Sequence, residues 1–277
     1  MSASQVTGFA AEWIFSFLTS FSLASRAPPS VTFSPYLDWL SFLSAMGDSF
    51  VIAIDFGSAF SGYAFNITPR EEKSEPYLPR WGKEYGLDSP KTPTCILLNE
   101  DENVRVLAMK PKTFPILDYT ISKQDKLSSD LKIKAANGKS MKALKVFSDS
   151  LRFLKEDALR TISRNTGGER LFIPSDFTWV LTVPAIWDPS AKQFMREAAM
   201  QAGIITEGDE EKLVLALEPE AASIWCKKLP ADGFISDKHN SKSMDQSAGT
   251  QYIVVDCGGK VSVILMQCVI DSFTSHF

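Results

Sequence analysis

Two apolar stretches of this sequence end in the same short pattern, Asp-x-Gly followed by a small residue. They lie at residues 51–58 and 252–259. In each, the apolar run predicts a strand that delivers a carboxylate, Asp55 or Asp256, to the edge of a sheet. The glycine that follows allows a tight turn in which successive backbone N–H groups point at one spot.

Turns of this kind have a specific chemical use. The backbone N–H groups hold phosphate oxygens, and the carboxylate beside them holds Mg²⁺ through the water shell of the ion. Two such turns that face each other would clamp a nucleotide triphosphate. A single Asp-x-Gly after a strand is also typical of an ordinary turn, so the interpretation depends on the second copy.

Two other chemistries that use such triplets do not fit the chain. Asp55-Phe56-Gly57 is also the metal-binding triplet of protein kinases, but neither the His-Arg-Asp loop nor the Ala-Pro-Glu segment follows it. An aspartic protease needs a small hydroxyl residue in the middle of each triplet, where this chain has Phe56 and Cys257. The chain has only two histidines, which argues against a Ser-His-Asp triad or a site of several histidine ligands.

The composition is that of an ordinary globular chain. Of 277 residues, 44 % are hydrophobic and 22 % charged, and the net charge of −4 gives no sign of a nucleic-acid partner. The four cysteines show no C-x-x-C spacing, which predicts free thiols in a reducing compartment and therefore a cytoplasmic location.

The first 45 residues differ from the rest. Residues 1–45 carry few charges, and we expect an appended, poorly ordered segment. The apolar stretch at 13–24 resembles the middle of a signal peptide, but no Lys or Arg precedes it. It is also shorter than the roughly 20 residues that span a bilayer, so no membrane span is predicted.

The remainder alternates between strand and helix patterns, which predicts a mixed α/β protein with a parallel sheet. Leu144, Phe147, Leu151 and Leu154 recur at helical spacing and should face inward. Predicted strands cover 50–54, 61–67, 95–98, 178–183, 213–217 and 252–255, predicted helices cover 140–165, 189–202 and 219–229, and predicted loops cover 68–94 and 230–251.

Residues 51–65, which read V-I-A-I-D-F-G-S-A-F-S-G-Y-A-F, resemble the first phosphate loop of the 70-kDa heat-shock protein family, in its divergent member-12 branch. Further blocks resemble the family and follow its order along the chain. They lie at 91–94, 135–139, 179–187, 191–199, 217–223 and 252–259.

The resemblance implies an actin-like ATPase (ribonuclease H-like) fold, with the first lobe and the first strand or two of the second. On this basis we expect the first lobe at 46–251 and the start of the second lobe at 252–277. The sequence leaves the family pattern after Gly259, where Lys260 and Val261 replace a glycine and a threonine. We therefore expect the second lobe to be truncated.

The resemblance also implies roles for individual residues. Asp55, Glu218 and Asp256 would be the catalytic carboxylates and would hold Mg²⁺ through water, with Glu218 helping to position the attacking water. From the residues alone, the preferred interpretation of Glu218 is a carboxylate that begins a helix and is favoured by its dipole. The phosphates of ATP or ADP would contact Gly57, Ser58, Ala59 and Phe60 in the first loop and Gly258 and Gly259 in the second.

Two function hypotheses follow. The first is an ATP-binding nucleotide-binding domain of heat-shock-70 type, incomplete here, with protein clients or co-chaperones as partners. The second is a non-catalytic truncated or interaction fragment with little nucleotide binding. Residues 103–125 lack the family block that carries a phosphate-contacting lysine, and the adenosine-binding half would lie beyond residue 277, so ATP hydrolysis by this chain is left open.

Overall fold

A five-stranded mixed sheet dominates the part of the chain that the structure, a computed structural model, describes. The described residues are 50–57, 60–67, 76–83, 86–98, 104–107, 127–134, 138, 140–168, 171–222, 251–257 and 263–269. The side chains of 97–98, 104–107, 251–257 and 263–269 are outside this description. Predictions for residues 1–45 and for 230–250 therefore lie outside the described residues.

Eleven strands and two longer helices make up these ranges. The strands are β1 (Phe50–Phe56), β2 (Phe60–Asn66), β3 (Thr92–Pro93), β4 (Ile96–Leu98), β5 (Val104–Leu107), β6 (Lys132–Lys134), β7 (Ser140–Lys142), β8 (Phe177–Val183), β9 (Leu213–Leu217), β10 (Gln251–Cys257) and β11 (Val263–Val269). The helices are α1 (Ala143–Asn165) and α2 (Pro189–Gln201), with single 3₁₀ turns at Pro174–Asp176 and Glu210–Lys212 and a helical stretch at 218–222.

The strand order of the main sheet is β3-β2-β1-β8-β9. β1 pairs antiparallel with β2 and parallel with β8, and β8 pairs parallel with β9. The pairs β4–β5, β6–β7 and β10–β11 form separate two-stranded antiparallel sheets. The mixed α/β class predicted from the sequence is confirmed.

The core lies between the main sheet and α1, because both present apolar side chains there. All seven residues of β8 are buried, and Trp179 and Leu181 are fully so. Phe147 of α1 links the layers, since its ring centroid lies 5.2 Å from that of Phe56 in β1 and 5.2 Å from that of Phe194 in α2. Each large apolar side chain buried in this way stabilises the fold by about 1.5–3 kcal/mol.

Helix α2 has the ends that its sequence predicts. The carboxylate of Asp188 accepts the backbone N–H of Ala191 at 2.8 Å, and Pro189 takes the first helical position. Gly203 follows the helix with a φ of 69°, a backbone conformation that suits glycine. The predicted helix 189–202 is confirmed to within one residue.

Helix α1 begins three residues later than predicted. Ser140–Lys142 form β7 and pair with β6, and the backbone N–H of Ala143 donates to the carbonyl of Leu131 at 2.7 Å. Phe147, Leu151 and Leu154 are buried as expected, and Leu144 is partly buried against the core.

The prediction of a loop over residues 68–94 is wrong at its carboxyl-terminal end. Thr92 and Pro93 form β3, which pairs with Ser61 and Phe60 of β2. A proline is tolerated there because β3 is the edge strand of the main sheet and needs no further donor. Gln251 likewise belongs to β10 and not to the preceding predicted loop.

Candidate functional site

The candidate site lies where three parallel strands end. β1, β8 and β9 run in the same direction, so their carboxyl ends share one edge of the sheet. In the register of β1 and β8, Ile54 pairs with Leu181, which places Asp55 level with Thr182. Polar side chains therefore gather at this edge because the strands deliver them there.

Both carboxylate oxygens of Asp55 have donors from distant parts of the chain. Oδ1 accepts the hydroxyl of Thr182 at 2.7 Å, and Oδ2 accepts the ammonium of Lys91 in a short ion pair. Only 13 % of the Asp55 side chain and 6 % of the Lys91 side chain are exposed. A buried carboxylate needs such partners, because leaving it unpaired is costly.

Local packing brings Lys91 to Asp55. Ser89 and Trp81 exchange two backbone hydrogen bonds, of 2.7 and 3.2 Å, and the Ser89 hydroxyl donates to the Lys91 carbonyl at 2.8 Å. On β2, Gly62 pairs with Asp55, and a Cβ at Gly62 would lie 3.2 Å from Cγ of Lys91. The absence of a side chain at Gly62 thus leaves room for the lysine stem.

The turn after Asp55 is closely packed. A Cβ at Gly57 would lie 2.6 Å from the carbonyl oxygen of Phe60, so only glycine fits without a shift. The hydroxyl of Thr94 donates to the Gly57 carbonyl at 2.6 Å. The Thr94 oxygen also lies 2.7 Å from that of Ser61, which must be the donor because the Thr94 proton is already engaged.

The structure describes two of the four first-loop residues, Gly57 and Phe60. Gly57 lies directly after β1, and Phe60 begins β2 and pairs with Pro93. Ser58 and Ala59 lie outside the described residues, as do Gly258 and Gly259 of the second loop. Their predicted contacts with phosphate remain predictions.

Glu218 and Asp256 are placed differently with respect to Asp55. Glu218 follows β9 at the same sheet edge and begins the helical stretch 218–222. Because β8 separates β1 from β9, Glu218 is displaced from Asp55 by about 10 Å across the strands. Asp256 lies in β10 and pairs with Ile264 of β11, but its side chain, and any approach to Asp55, is outside the described part of the structure.

The polar residues that hold Asp55 are ones that sequence reasoning missed. In the sequence, Lys91 and Thr94 belong to the family block 91–94 and Thr182 belongs to the family block 179–187, but neither block predicts a contact with Asp55. The available signals were two threonines, Thr178 and Thr182, within the otherwise apolar run 177–183, and a lysine directly before a strand. Neither pattern predicts Asp55 as the partner, because both contacts join segments that are distant in sequence.

The described residues contain no cluster of three or more His, Cys, Asp and Glu side chains able to hold a metal ion. Asp55 and Glu218 do supply carboxylate oxygens at one sheet edge. A hard cation such as Mg²⁺ keeps most of its water shell and prefers such oxygens. These two carboxylates therefore fit a hydrated Mg²⁺ that is contacted through its water molecules once the Lys91 ammonium leaves Oδ2 of Asp55.

The strand opposite β1 is fixed to α1 by a buried phenol. The Tyr63 hydroxyl donates to Oδ2 of Asp157 at 2.7 Å and lies 3.1 Å from the hydroxyl of Thr161. Burial, and then the negative charge of Asp157, raise the pKa of Tyr63 well above its ordinary value. The neutral phenol is thus the form that the fold holds, and it fixes the β1–β2 pair beneath the site.

Comparison with characterised proteins places the chain in a family. It is 43 % identical over 195 residues to heat shock 70 kDa protein 12A of Mus musculus and 42 % identical over 195 residues to that of Homo sapiens, each match covering 65 % of this chain and 28 % of the relative. It is 33 % identical over 269 residues to heat shock 70 kDa protein 12B of Homo sapiens, which covers 76 % of this chain and 38 % of the relative. No family model matches the chain.

These similarities, together with the mixed sheet, define the chain as a heat-shock-70-like α/β protein. Within that family it is of the member-12 type, as the resemblance of its motifs predicted. The chain spans between about a quarter and two fifths of the length of these relatives. Among the helices of the described residues, none is long and apolar enough to cross a membrane.

Proposed function

We propose that this chain contributes the first phosphate-binding edge of a nucleotide-binding domain of heat-shock-70 type. The observation that carries the proposal is the buried Asp55, tied by Thr182 and Lys91 directly beside a turn with no room for a side chain at Gly57. A fixed carboxylate next to a close-packed turn suits a phosphate group with a hydrated Mg²⁺ beside it. The family relationship supports the same interpretation.

In this proposal residues 46–251 form the first lobe of an actin-like ATPase fold and residues 252–277 begin the second. The pairing of β10 with β11 supports the second part, because it repeats the antiparallel pairing of β1 with β2. ATP or ADP would be held between the two lobes. Clients and co-chaperones belong to the same proposal, since the relatives are named as heat-shock proteins.

Each residue has a defined task in the proposed site. The backbone of 57–60 would bind the β- and γ-phosphates, and Asp55 and Asp256 would hold the water shell of the metal. Bound Mg²⁺ would supply positive charge to the phosphates. Glu218, at the end of β9, would orient a water molecule toward the terminal phosphate, so that hydrolysis would proceed by positioning and electrostatics and not through a covalent intermediate.

Isothermal titration of the purified 277-residue chain with Mg-ATP and Mg-ADP tests the proposal. We expect saturable binding that Asp55→Asn weakens about ten- to hundredfold, because hydrogen bonds to a charged group contribute about 1.5–3 kcal/mol. Asp130→Asn, which neutralises an exposed carboxylate in the turn before β6, should leave the affinity unchanged.

Thermal unfolding of both variants shows whether they remain folded, so that a loss of binding is not mistaken for a loss of structure. Absence of saturable binding to the unaltered chain would contradict the proposal. Equal affinities of the Asp55→Asn variant and the unaltered chain would remove Asp55 from it.

A further inference from the structure

The ammonium of Lys91 lies where a cation bound to Asp55 would be expected. It contacts Oδ2, while the other oxygen of the carboxylate, Oδ1, accepts the hydroxyl of Thr182. Lysine side chains are almost never buried unless they are paired, and this one is 6 % exposed. Asp55 therefore already has a positively charged partner supplied by the chain itself.

The surroundings of Lys91 are built to hold it there. The Ser89 hydroxyl fixes the backbone carbonyl of Lys91, and β3 begins at the next residue, Thr92. Gly62 provides the space along which the lysine stem passes, with Cγ of Lys91 3.2 Å from the position of a Cβ. Backbone pairing and packing on both sides thus determine where the ammonium lies.

We propose that Lys91 is an internal counter-ion that competes with a divalent cation for Asp55. A hydrated Mg²⁺ reaches a carboxylate by donating hydrogen bonds from its water molecules, and the lysine ammonium donates to the same oxygen. The metal alone therefore does not displace the tethered ammonium. Metal that arrives with a nucleotide would do so, because the phosphate oxygens offer the displaced ammonium other acceptors.

This inference rests on the proposed function in taking the Asp55 edge as the metal-binding side of a nucleotide site. Its central claim, competition between an ammonium and a divalent ion, can nevertheless be measured without nucleotide. Mn²⁺ is the probe, because its electron paramagnetic resonance signal in solution decreases when the ion binds to protein.

We expect the unaltered chain to bind Mn²⁺ weakly and Lys91→Met to bind it at least tenfold more tightly. Adding Asp55→Asn to Lys91→Met should abolish the gain, and Lys91→Arg, which keeps the charge, should resemble the unaltered chain. Tight Mn²⁺ binding by the unaltered chain that Asp55→Asn removes would overturn the proposal, as would equal binding by Lys91→Met and the unaltered chain.

Gly62→Ala provides a second variant in case Lys91→Met fails to fold. Its Cβ would lie 3.1 Å from the Pro90 carbonyl oxygen and 3.2 Å from Cγ of Lys91, so it shifts the lysine and the backbone before it while keeping both charges. It should bind Mn²⁺ more tightly than the unaltered chain, and near-ultraviolet circular dichroism reports whether it is folded. If Gly62→Ala folds and binds Mn²⁺ no better, the proposal is wrong. If the unaltered chain does not bind nucleotide but Lys91→Met binds Mn²⁺ more tightly, the proposed function is wrong and the role of Lys91 as a counter-ion is supported.

Discussion

The β1–β2 and β10–β11 pairs share a plan and differ in their surroundings. Each consists of two antiparallel seven-residue strands, and the aspartate, Asp55 or Asp256, is the sixth residue of the first strand. The connection 57–59 has three residues, whereas the connection 258–262 has five. β1 also pairs with β8, but β10 and β11 form a two-stranded sheet among the described residues.

The comparison distinguishes the structure that the Asp-x-Gly motif specifies by itself from the contacts that the rest of the fold must supply. The Asp-x-Gly motif places its aspartate near the end of a seven-residue strand, and it does so in both pairs. The partners of Asp55, by contrast, come from β8 and from the segment before β3. The environment of the first aspartate is thus a property of the five-stranded sheet and not of the motif.

The largest expected effect comes from breaking the ion pair. Lys91→Met should lower the free energy of unfolding by about 3–5 kcal/mol, because it leaves the buried Asp55 carboxylate without a charged partner. Adding Asp55→Asn should recover most of the loss, since the buried charge is then gone. Urea denaturation of the single and double variants measures both, and a double variant no more stable than Lys91→Met would contradict the assignment.

Removing the second partner of Asp55 should have a smaller effect. Thr182→Val keeps the shape of the side chain but deletes the 2.7 Å hydrogen bond to Oδ1, for an expected loss of about 1.5–3 kcal/mol. Thr206→Val is the matched control, because the Thr206 hydroxyl also donates to an aspartate, Oδ2 of Asp209 at 2.8 Å, but in an exposed position, so its loss should be only about 0.5–1 kcal/mol. If urea denaturation shows the same loss of stability for Thr182→Val and Thr206→Val, the hydrogen bond from β8 to Asp55 has no specific effect on stability.

The two turns can be compared directly by adding one methyl group to each. Gly57→Ala should lower the free energy of unfolding by about 1–3 kcal/mol, because the new Cβ would meet the Phe60 carbonyl at 2.6 Å. Gly258→Ala should have less effect, since a connection of five residues has more ways to accommodate it. Thermal unfolding of the two variants measures both effects. A larger loss of stability for Gly258→Ala than for Gly57→Ala would contradict the prediction.

The smallest expected effect concerns the anchor of β2 and depends on pH. Tyr63→Phe deletes the hydrogen bond to Asp157 and should lower the free energy of unfolding by about 1 kcal/mol at neutral pH. Because the pKa of Tyr63 is raised above its ordinary value of 10.0, its contribution is complete below pH 10 and is lost as the pH rises above it.

The difference in melting temperature between Tyr63→Phe and the unaltered chain should therefore stay constant between pH 8 and about pH 10 and narrow above about pH 10. Thermal melts at several pH values across this range measure it. A constant difference would mean that the phenol ionises at the same pH in the folded and unfolded chains.

An element could be predicted from the sequence when the residues that specify it lie close together along the chain. β1, β8, β9 and α2 could be predicted because an apolar run or a capping residue specifies each within a short segment. β3 and β7 could not, since two or three residues become a strand only when β2 or β6 lies beside them. Asp55 and Gly57 were found from a local motif, but Lys91 lies 36 positions away and Thr182 lies 127 positions away.

That last separation has a consequence for how the protein is made. A parallel pairing of β1 with β8 cannot form until the ribosome has delivered residue 183, and synthesis proceeds at about 5–20 residues per second. Asp55 therefore emerges roughly 6–25 s before Thr182, a separation of 127 residues. Until then one edge of β1 has no strand to pair with and Asp55 lacks its Thr182 partner, so we expect the newly made amino-terminal part of the chain to be prone to strand pairing with other chains.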